Sequence, residues 1–129
     1  MNLLSLIVPC YNEEEALPYF YEEVKKVVKN IHSFDYEIIF INDGSTDRTL
    51  DIIKEYSIND DKIIYVSFSR NFGKEAAMYA GFCNAKGNYI AVMDADMQDP
   101  PNLIPKMLEI LLTKEYDSVA TRRMDRKGE

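Results

Sequence analysis

The segment DADMQDPP, residues 94–101, concentrates acidic side chains directly after the apolar run YIAVM. Three of its first six residues are aspartates, and carboxylates this close repel one another unless a cation lies among them. In an extended segment Asp94 and Asp96 point to the same side, and Gln98 continues that side with a neutral oxygen. Such hard oxygen ligands suit Mg²⁺ or Mn²⁺, which usually keep water and phosphate as their other ligands. The segment therefore predicts a divalent metal that carries phosphates.

Other motifs that use clustered acids or bind nucleotides do not fit this segment. A calcium loop counted from Asp94 would need glycine sixth and glutamate twelfth, where the chain has Asp99 and Pro105. Phosphatases and phospho-acceptor domains place their aspartate after the first strand, whereas the first strand here ends in PCYNE. Neither G-x-G-x-x-G nor G-x-x-x-x-G-K-[ST] occurs, so the common dinucleotide and P-loop motifs are excluded.

Strand-like and helix-like patterns alternate along the chain. Short apolar runs predict five strands, at residues 3–8, 36–41, 63–68, 88–94 and 116–121. The segments between them have helical spacing or helix-forming composition, with Asn12 and Asp99 as predicted N-caps and Gly87 as a predicted C-cap. Repeated strand–helix units of this kind predict an α/β fold, an open and mostly parallel sheet with helices on both faces.

Polar residues follow every predicted strand, so they should gather at one edge of the sheet. The groups are Cys10 to Glu13, Asn42 to Gly44, Ser69 to Asn71, Asp94 to Asp96, and Arg122 with Arg123. In open parallel sheets ligands bind at this edge, in the crevice where the strand order reverses. Individually, Asn12 and Asp99 could be only caps and Asp43 with Gly44 only a turn. Five such groups at one edge favour a binding site.

Composition and length indicate one globular domain over residues 1–129. The chain has 47% apolar and 29% charged residues, and its net charge of −7 argues against broad nucleic-acid binding.

Cys10 and Cys83 lack zinc-ligand or disulfide patterns, so both are expected to be reduced and partly buried, and His32 is expected at the surface. The basic tail RRMDRKGE is either a solvated end or a contact for a phosphate or membrane surface. With no leader and no apolar run long enough for a membrane span, the chain is expected to be cytoplasmic.

Four motifs in order resemble the family 2 glycosyltransferases of the GT-A fold. They are VPCYNEEE at 8–15, INDGSTDRT at 41–49, SRNFGKEAAMYAGF at 69–82 and DADMQDPP at 94–101. The third and fourth are most similar to the branch that transfers a sugar to a polyprenyl phosphate, such as dolichol-phosphate mannose synthases and bactoprenol glucosyltransferases. Members of the family have a longer catalytic domain, so the chain is expected to be its N-terminal, donor-binding part, truncated before the acceptor half and inactive by itself.

The resemblance implies a role for each matching residue. The nucleotide pocket would be lined by Pro9, Tyr11, Asn12 and Glu13, with Asp43 binding the base and Gly73 and Lys74 nearby. Asp94 and Asp96 match the family's DxD element, in which Asp96 and Gln98 hold the metal that bridges the diphosphate. Arg122 falls where the branch keeps an arginine that faces the acceptor phosphate.

The implied function is metal-dependent, inverting transfer of a hexose from a donor such as UDP-glucose or GDP-mannose to a polyprenyl phosphate. The cofactor would be Mg²⁺ or Mn²⁺, and the full-length protein would work at the cytoplasmic face of a membrane. Alternatives are a family 2 enzyme with a saccharide acceptor, a nucleotide-binding module without chemistry, and an interaction domain whose acids only cap helices. The sequence leaves the sugar, the base, the acceptor and the oligomeric state open.

Overall fold

The computed structural model describes residues 2–96, 100–114 and 118–120. Strands and helices alternate along these residues as the sequence predicts. The strands are β1 (Asn2–Cys10), β2 (Phe34–Asn42), β3 (Ile63–Ser67), β4 (Tyr89–Val92) and β5 (Ser118–Ala120). The α-helices are α1 (Leu17–Lys29), α2 (Thr49–Asn59), α3 (Lys74–Asn84) and α4 (Ile104–Lys114), with a 3-10 turn at Pro101–Leu103 before α4.

The five strands form one sheet in the order β3-β2-β1-β4-β5, and every pairing is parallel. β1 is central and pairs with β2 along its whole length, from Asn2 opposite Phe34 to Cys10 opposite Asn42. Its other edge pairs with β4, from Leu4 opposite Tyr89 to Ile7 opposite Val92. The strand order reverses between β1 and β4, which is where such sheets bind ligands.

Alternate residues of β1 serve two separate hydrophobic layers. Leu4, Leu6 and Val8 pack in the larger core, which also contains buried residues of α1, α2 and α4. Ile7 faces the opposite layer, where Ala77 of α3 packs against the sheet. Since strand side chains alternate between faces, this division shows helices on both sides of the sheet. The predicted α/β fold, open and parallel with helices on both faces, is confirmed.

Two predicted helix caps are wrong. Asn12 does not cap α1, which begins at Leu17 after Ala16, with Pro18 in the first turn. Asn12 instead has a left-handed backbone, with φ of 53°, and its side chain binds another loop. Gly87 does not cap α3, which ends at Asn84. It is packed so closely on β1 that a Cβ there would lie 2.6 Å from the Leu3 carbonyl oxygen.

The two cysteines differ in environment. Cys10 is buried as expected, but Cys83 on α3 is exposed, contrary to the prediction that both are partly buried. His32 is exposed, as the sequence predicts. Among the helices of the described ranges, none has an apolar stretch long enough to cross a bilayer.

Candidate functional site

The ends of β1, β2 and β4 and the start of α3 enclose a pocket of about 130 Å³ at the reversal of strand order. The lining residues are Pro9, Cys10, Tyr11, Glu13, Asp43, Lys74 and Asp94. Except for Cys10, each was a candidate from the sequence, so residues 85 positions apart in the chain meet in one place. The prediction that strand-end residues gather at one edge is confirmed for this part of the chain.

The loops after β1 and β2 are joined by hydrogen bonds in both directions. The backbone N–H of Asn12 donates to Ser45 Oγ at 2.9 Å, and that of Glu13 donates to Thr49 Oγ1 at 2.8 Å. In return the N–H of Thr46 donates to Asn12 Oδ1 at 2.8 Å. A left-handed backbone at Asn12 directs these groups, and asparagine adopts that conformation more readily than most residues. These hydrogen bonds fix the loop that carries Glu13.

Asp43 fixes the loop after β3. Its side chain accepts hydrogen bonds from the backbone N–H of Phe72 at 2.8 Å, from the N–H of Gly73 at 3.1 Å and from Asn71 Nδ2 at 3.2 Å. The residue is only 4% exposed, and a carboxylate this buried is stable only when its oxygens are hydrogen-bonded. Asp43 thereby determines where α3 begins, and so where Lys74 stands.

Lys74 makes an ion pair with Asp94 across the pocket. Its Nζ lies 2.7 Å from Oδ1 and 2.9 Å from Oδ2, so the ammonium contacts both carboxylate oxygens. Lys74 follows β3 and Asp94 follows β4, and the pair therefore bridges the crevice. A positive charge does lie among the clustered acids, and it is the ammonium group of Lys74.

Glu13 lies in a strongly negative environment. Burial raises the pKa of its carboxyl group, and the negative charges of Asp96, Asp94 and Asp47 raise it further. The protein therefore leaves charge repulsion at this edge that an added cation would relieve. Burial also raises the pKa of the Cys10 thiol, with Glu13 adding to the effect, so the thiol stays protonated and is a poor metal ligand.

The chemistry of these side chains fits a hard divalent cation. Asp94 and Asp96 offer carboxylate oxygens, the donors that Mg²⁺ and Mn²⁺ prefer. In the part of the chain that the structure describes, no three acidic, histidine or cysteine residues form a metal site built from protein alone. Two carboxylates suit Mg²⁺ nevertheless, because this ion usually binds one or two of them and completes its octahedron with water and substrate phosphates.

Three residues singled out from the sequence are not among the described residues, and two residues with structural roles at the site were not predicted. Gln98, Asp99 and Arg122 lie outside the described residues. Thr49 and Asn71 were not assigned roles from the sequence. Thr49 binds the loop after β1 through the Glu13 N–H, and Asn71, in the loop after β3, binds the Asp43 carboxylate. Their positions after β2 and β3 were the available signal, because side chains at strand ends reach neighbouring loops.

The chain matches a family model described as Glycosyl transferase family 2 over residues 5–129. The putative glycosyltransferase CsbB of Bacillus subtilis (strain 168) is 47% identical over 128 residues, covering 99% of this chain and 38% of that protein. A prophage bactoprenol glucosyl transferase homolog of Escherichia coli (strain K12) is 42% identical over 131 residues, covering 96% of this chain and 42% of that protein. This chain thus spans about two fifths of the length of these relatives.

Solved structures bear on the fold. Mannosyltransferase PcManGT from Pyrobaculum calidifontis, in complex with GDP-Man and Mn²⁺, superimposes with a TM-score of 0.69 and 19% identity. The superposition covers 84% of this chain and 32% of that one. The likeness confirms the expected GT-A fold for the described part of the chain. Together with the family model, which spans all but the first four residues, it shows that the chain belongs to glycosyl transferase family 2.

Proposed function

We propose that this chain is the donor-binding part of a metal-dependent, inverting glycosyltransferase that moves a hexose from a nucleotide diphosphate sugar to a polyprenyl phosphate. The observation that carries the proposal is the pocket at the reversal of strand order, where Glu13, Lys74 and Asp94 meet beside Asp96. A nucleotide diphosphate carries negative charge that a lysine and a carboxylate-bound metal ion can offset, and this edge offers a lysine and two carboxylates in DxD spacing.

The donor would lie across the ends of β1 and β2, with its diphosphate toward Asp94 and Asp96. Tyr11 is 46% exposed at the pocket, and its ring offers a flat surface next to the incoming nucleotide. The buried carboxylate of Asp43 already accepts three hydrogen bonds, two at Oδ2 and one at Oδ1, so Oδ1 has a further lone pair for the base. Pro9, Asn12 and Gly73 would shape the pocket through the backbone.

The proposed reaction is a single displacement at the anomeric carbon. A bound divalent ion stabilises the negative charge that develops on the departing diphosphate. The acceptor phosphate is already an anion, so it needs no strong base to attack, and one displacement inverts the anomeric configuration. Arg122 would hold that phosphate through two parallel hydrogen bonds and orient it for attack.

The lipid acceptor is supported by a relative whose name includes bactoprenol glucosyl transferase and which is 42% identical. A water-soluble donor and a polyprenyl phosphate can meet only at a membrane surface. We therefore infer that the full-length enzyme works at the cytoplasmic face of a membrane.

Donor binding by this chain tests the proposal. Calorimetric titrations with UDP-glucose and GDP-mannose, each with and without Mn²⁺, should reveal one donor whose binding Mn²⁺ strengthens by about tenfold or more, equivalent to about 1.4 kcal/mol. Asp96→Asn should abolish that enhancement while circular dichroism shows an unchanged fold.

Asp61→Asn is the matched control, because Asp61 is an exposed aspartate in the loop before β3, at the opposite edge of the sheet. It should behave as the wild type does. The proposal is wrong if the folded chain binds neither donor in a metal-dependent way, or if both variants lose the enhancement equally. Transfer of labelled sugar to a short polyprenyl phosphate by the full-length protein tests the acceptor.

A further inference from the structure

We propose that Lys74 is a resident counter-ion of Asp94 that a divalent metal must displace, so that tight metal binding waits for the nucleotide diphosphate. This inference rests on the proposed function, because it concerns the same pocket. It assigns Lys74 a second role, as the residue that couples metal binding to donor binding.

The contact itself is the first argument. The Lys74 ammonium contacts both oxygens of Asp94, at 2.7 and 2.9 Å, and both residues line the pocket. A divalent ion at those oxygens would lie within a few ångströms of the ammonium, and like charges at that distance repel strongly. Metal and ammonium therefore compete for Asp94.

The charge distribution around the pocket is the second argument. Glu13, Asp47 and Asp96 act together with Asp94 as negative neighbours. Of the ion pairs within the described ranges, only Lys74–Asp94 lies at this edge, since the others join residues of α1, β2 and the loop before β3. Lys74 is accordingly a cation that offsets part of this repulsion.

The position of Lys74 in its helix is the third argument. It is the first residue of α3, where the helix dipole favours acidic side chains and opposes a cation. The stability of α3 therefore does not explain a lysine at its first position. A residue that is unfavourable for its own secondary structure often has a role in a functional site instead. The side chain is 52% exposed on a flexible stem, so its ammonium can leave Asp94 without unpacking the core.

Donor binding would exchange the partner of Lys74, from the Asp94 carboxylate to the diphosphate. An arriving diphosphate offers the ammonium a more highly charged anion than Asp94, and Lys74 turns toward it. Asp94 would then be free to bind the metal ion through its carboxylate oxygens. By linkage, the metal strengthens donor binding by the same factor as the donor strengthens metal binding.

Mn²⁺ binding without nucleotide tests the exchange, with the free ion measured by electron paramagnetic resonance. Lys74→Met keeps most of the side-chain length but removes the charge, so it should bind Mn²⁺ alone about tenfold more tightly than the wild type. Adding UDP or GDP should tighten Mn²⁺ binding markedly in the wild type and much less in Lys74→Met. Lys74→Arg keeps the charge and should retain the wild-type coupling.

Lys86→Met is the matched control, because Lys86 is an exposed lysine beyond the far end of α3. It changes the net charge equally and should leave Mn²⁺ binding unchanged. The inference is overturned if folded Lys74→Met binds Mn²⁺ no more tightly than the wild type, if Lys86→Met gives the same gain, or if neither chain binds Mn²⁺. Absence of donor binding would instead refute the proposed function, since the Mn²⁺ measurement needs no sugar nucleotide.

Discussion

Gly44 packs tightly against the backbone of the loop after β3, so Gly44→Ala should lower the stability of the protein and disorganise the pocket. Its φ of +69° is in the left-handed region, which costs an alanine about 1–2 kcal/mol. A Cβ would also lie 2.1 Å from the Arg70 carbonyl carbon and 2.3 Å from the Asn71 nitrogen. Ordinary contact begins at 3.4 Å, so backbone must move by about 1.3 Å.

That movement has a calculable consequence, because the displaced loop carries the three donors that bind Asp43. A hydrogen bond to a charged group contributes about 1.5–3 kcal/mol, and we expect one or two of them to be lost. With the backbone strain, the free energy of unfolding should fall by about 2.5–8 kcal/mol. At an m value of about 2 kcal/mol per molar, the urea midpoint should fall by about 1–4 M.

Gly73→Ala separates the steric effect from the strain. Gly73 also has a positive φ, +102°, but a Cβ there would meet nothing within 4 Å. Its cost should be the strain alone, about 1–3 kcal/mol. Urea unfolding followed by circular dichroism compares the two variants. A steric role for Gly44 is refuted if Gly44→Ala lowers the free energy of unfolding by less than about 1 kcal/mol, or by no more than Gly73→Ala does.

Two further predictions concern buried polar contacts away from the pocket. Burial alone would raise the pKa of Asp60, but the hydrogen bond from Lys25 holds it below its ordinary value of 3.8. Because the pKa of Asp60 is depressed in the folded protein, its charge stabilises the fold above pH 3.8, and this stabilisation is lost at lower pH. Asp60→Asn should therefore lower the free energy of unfolding by about 1–3 kcal/mol at pH 7 and by progressively less below pH 4. Urea titrations at several pH values measure this difference. The Ser5 hydroxyl donates to Glu37 at 2.5 Å and accepts from the Gly87 N–H at 2.8 Å, so Ser5→Ala should cost about 1–3 kcal/mol at pH 7. An Asp60→Asn effect independent of pH, or a thermal midpoint for Ser5→Ala equal to the wild type, would contradict these expectations.

The sheet and its functional edge were predictable because each depends on local pattern. Apolar runs marked the strands within a few residues, and polar residues after each run identified the edge. Asp94 and Asp96 were predicted as metal ligands from their alternate spacing directly after an apolar strand. These inferences needed only the periodicity of strands and the rule that parallel strands end at the same edge.

Contacts between distant segments were not predictable in the same way. The Lys74–Asp94 ion pair joins residues 20 positions apart, and it forms because α3 packs behind β1 and β2 and starts near β4. The role of Asn12 was mistaken for a helix cap because its partner, Thr46, lies 34 residues away. Gly87 was mistaken for a C-cap because its close approach to β1 is visible only once α3 and β4 are assembled.

The carboxylates at this edge differ in how far the fold stabilises their negative charge. Asp43 is buried and accepts three hydrogen bonds, so its charge is already stabilised and it serves to position Lys74. Burial raises the pKa of Glu13, and neighbouring negative charges raise it further. Part of the repulsion at this edge therefore remains beside the Lys74–Asp94 pair. A protein that only needed caps and turns here would gain stability by replacing such an acid with a neutral residue. Keeping the repulsion is understandable if a cation arrives with the substrate, because the same repulsion then becomes binding energy for that cation.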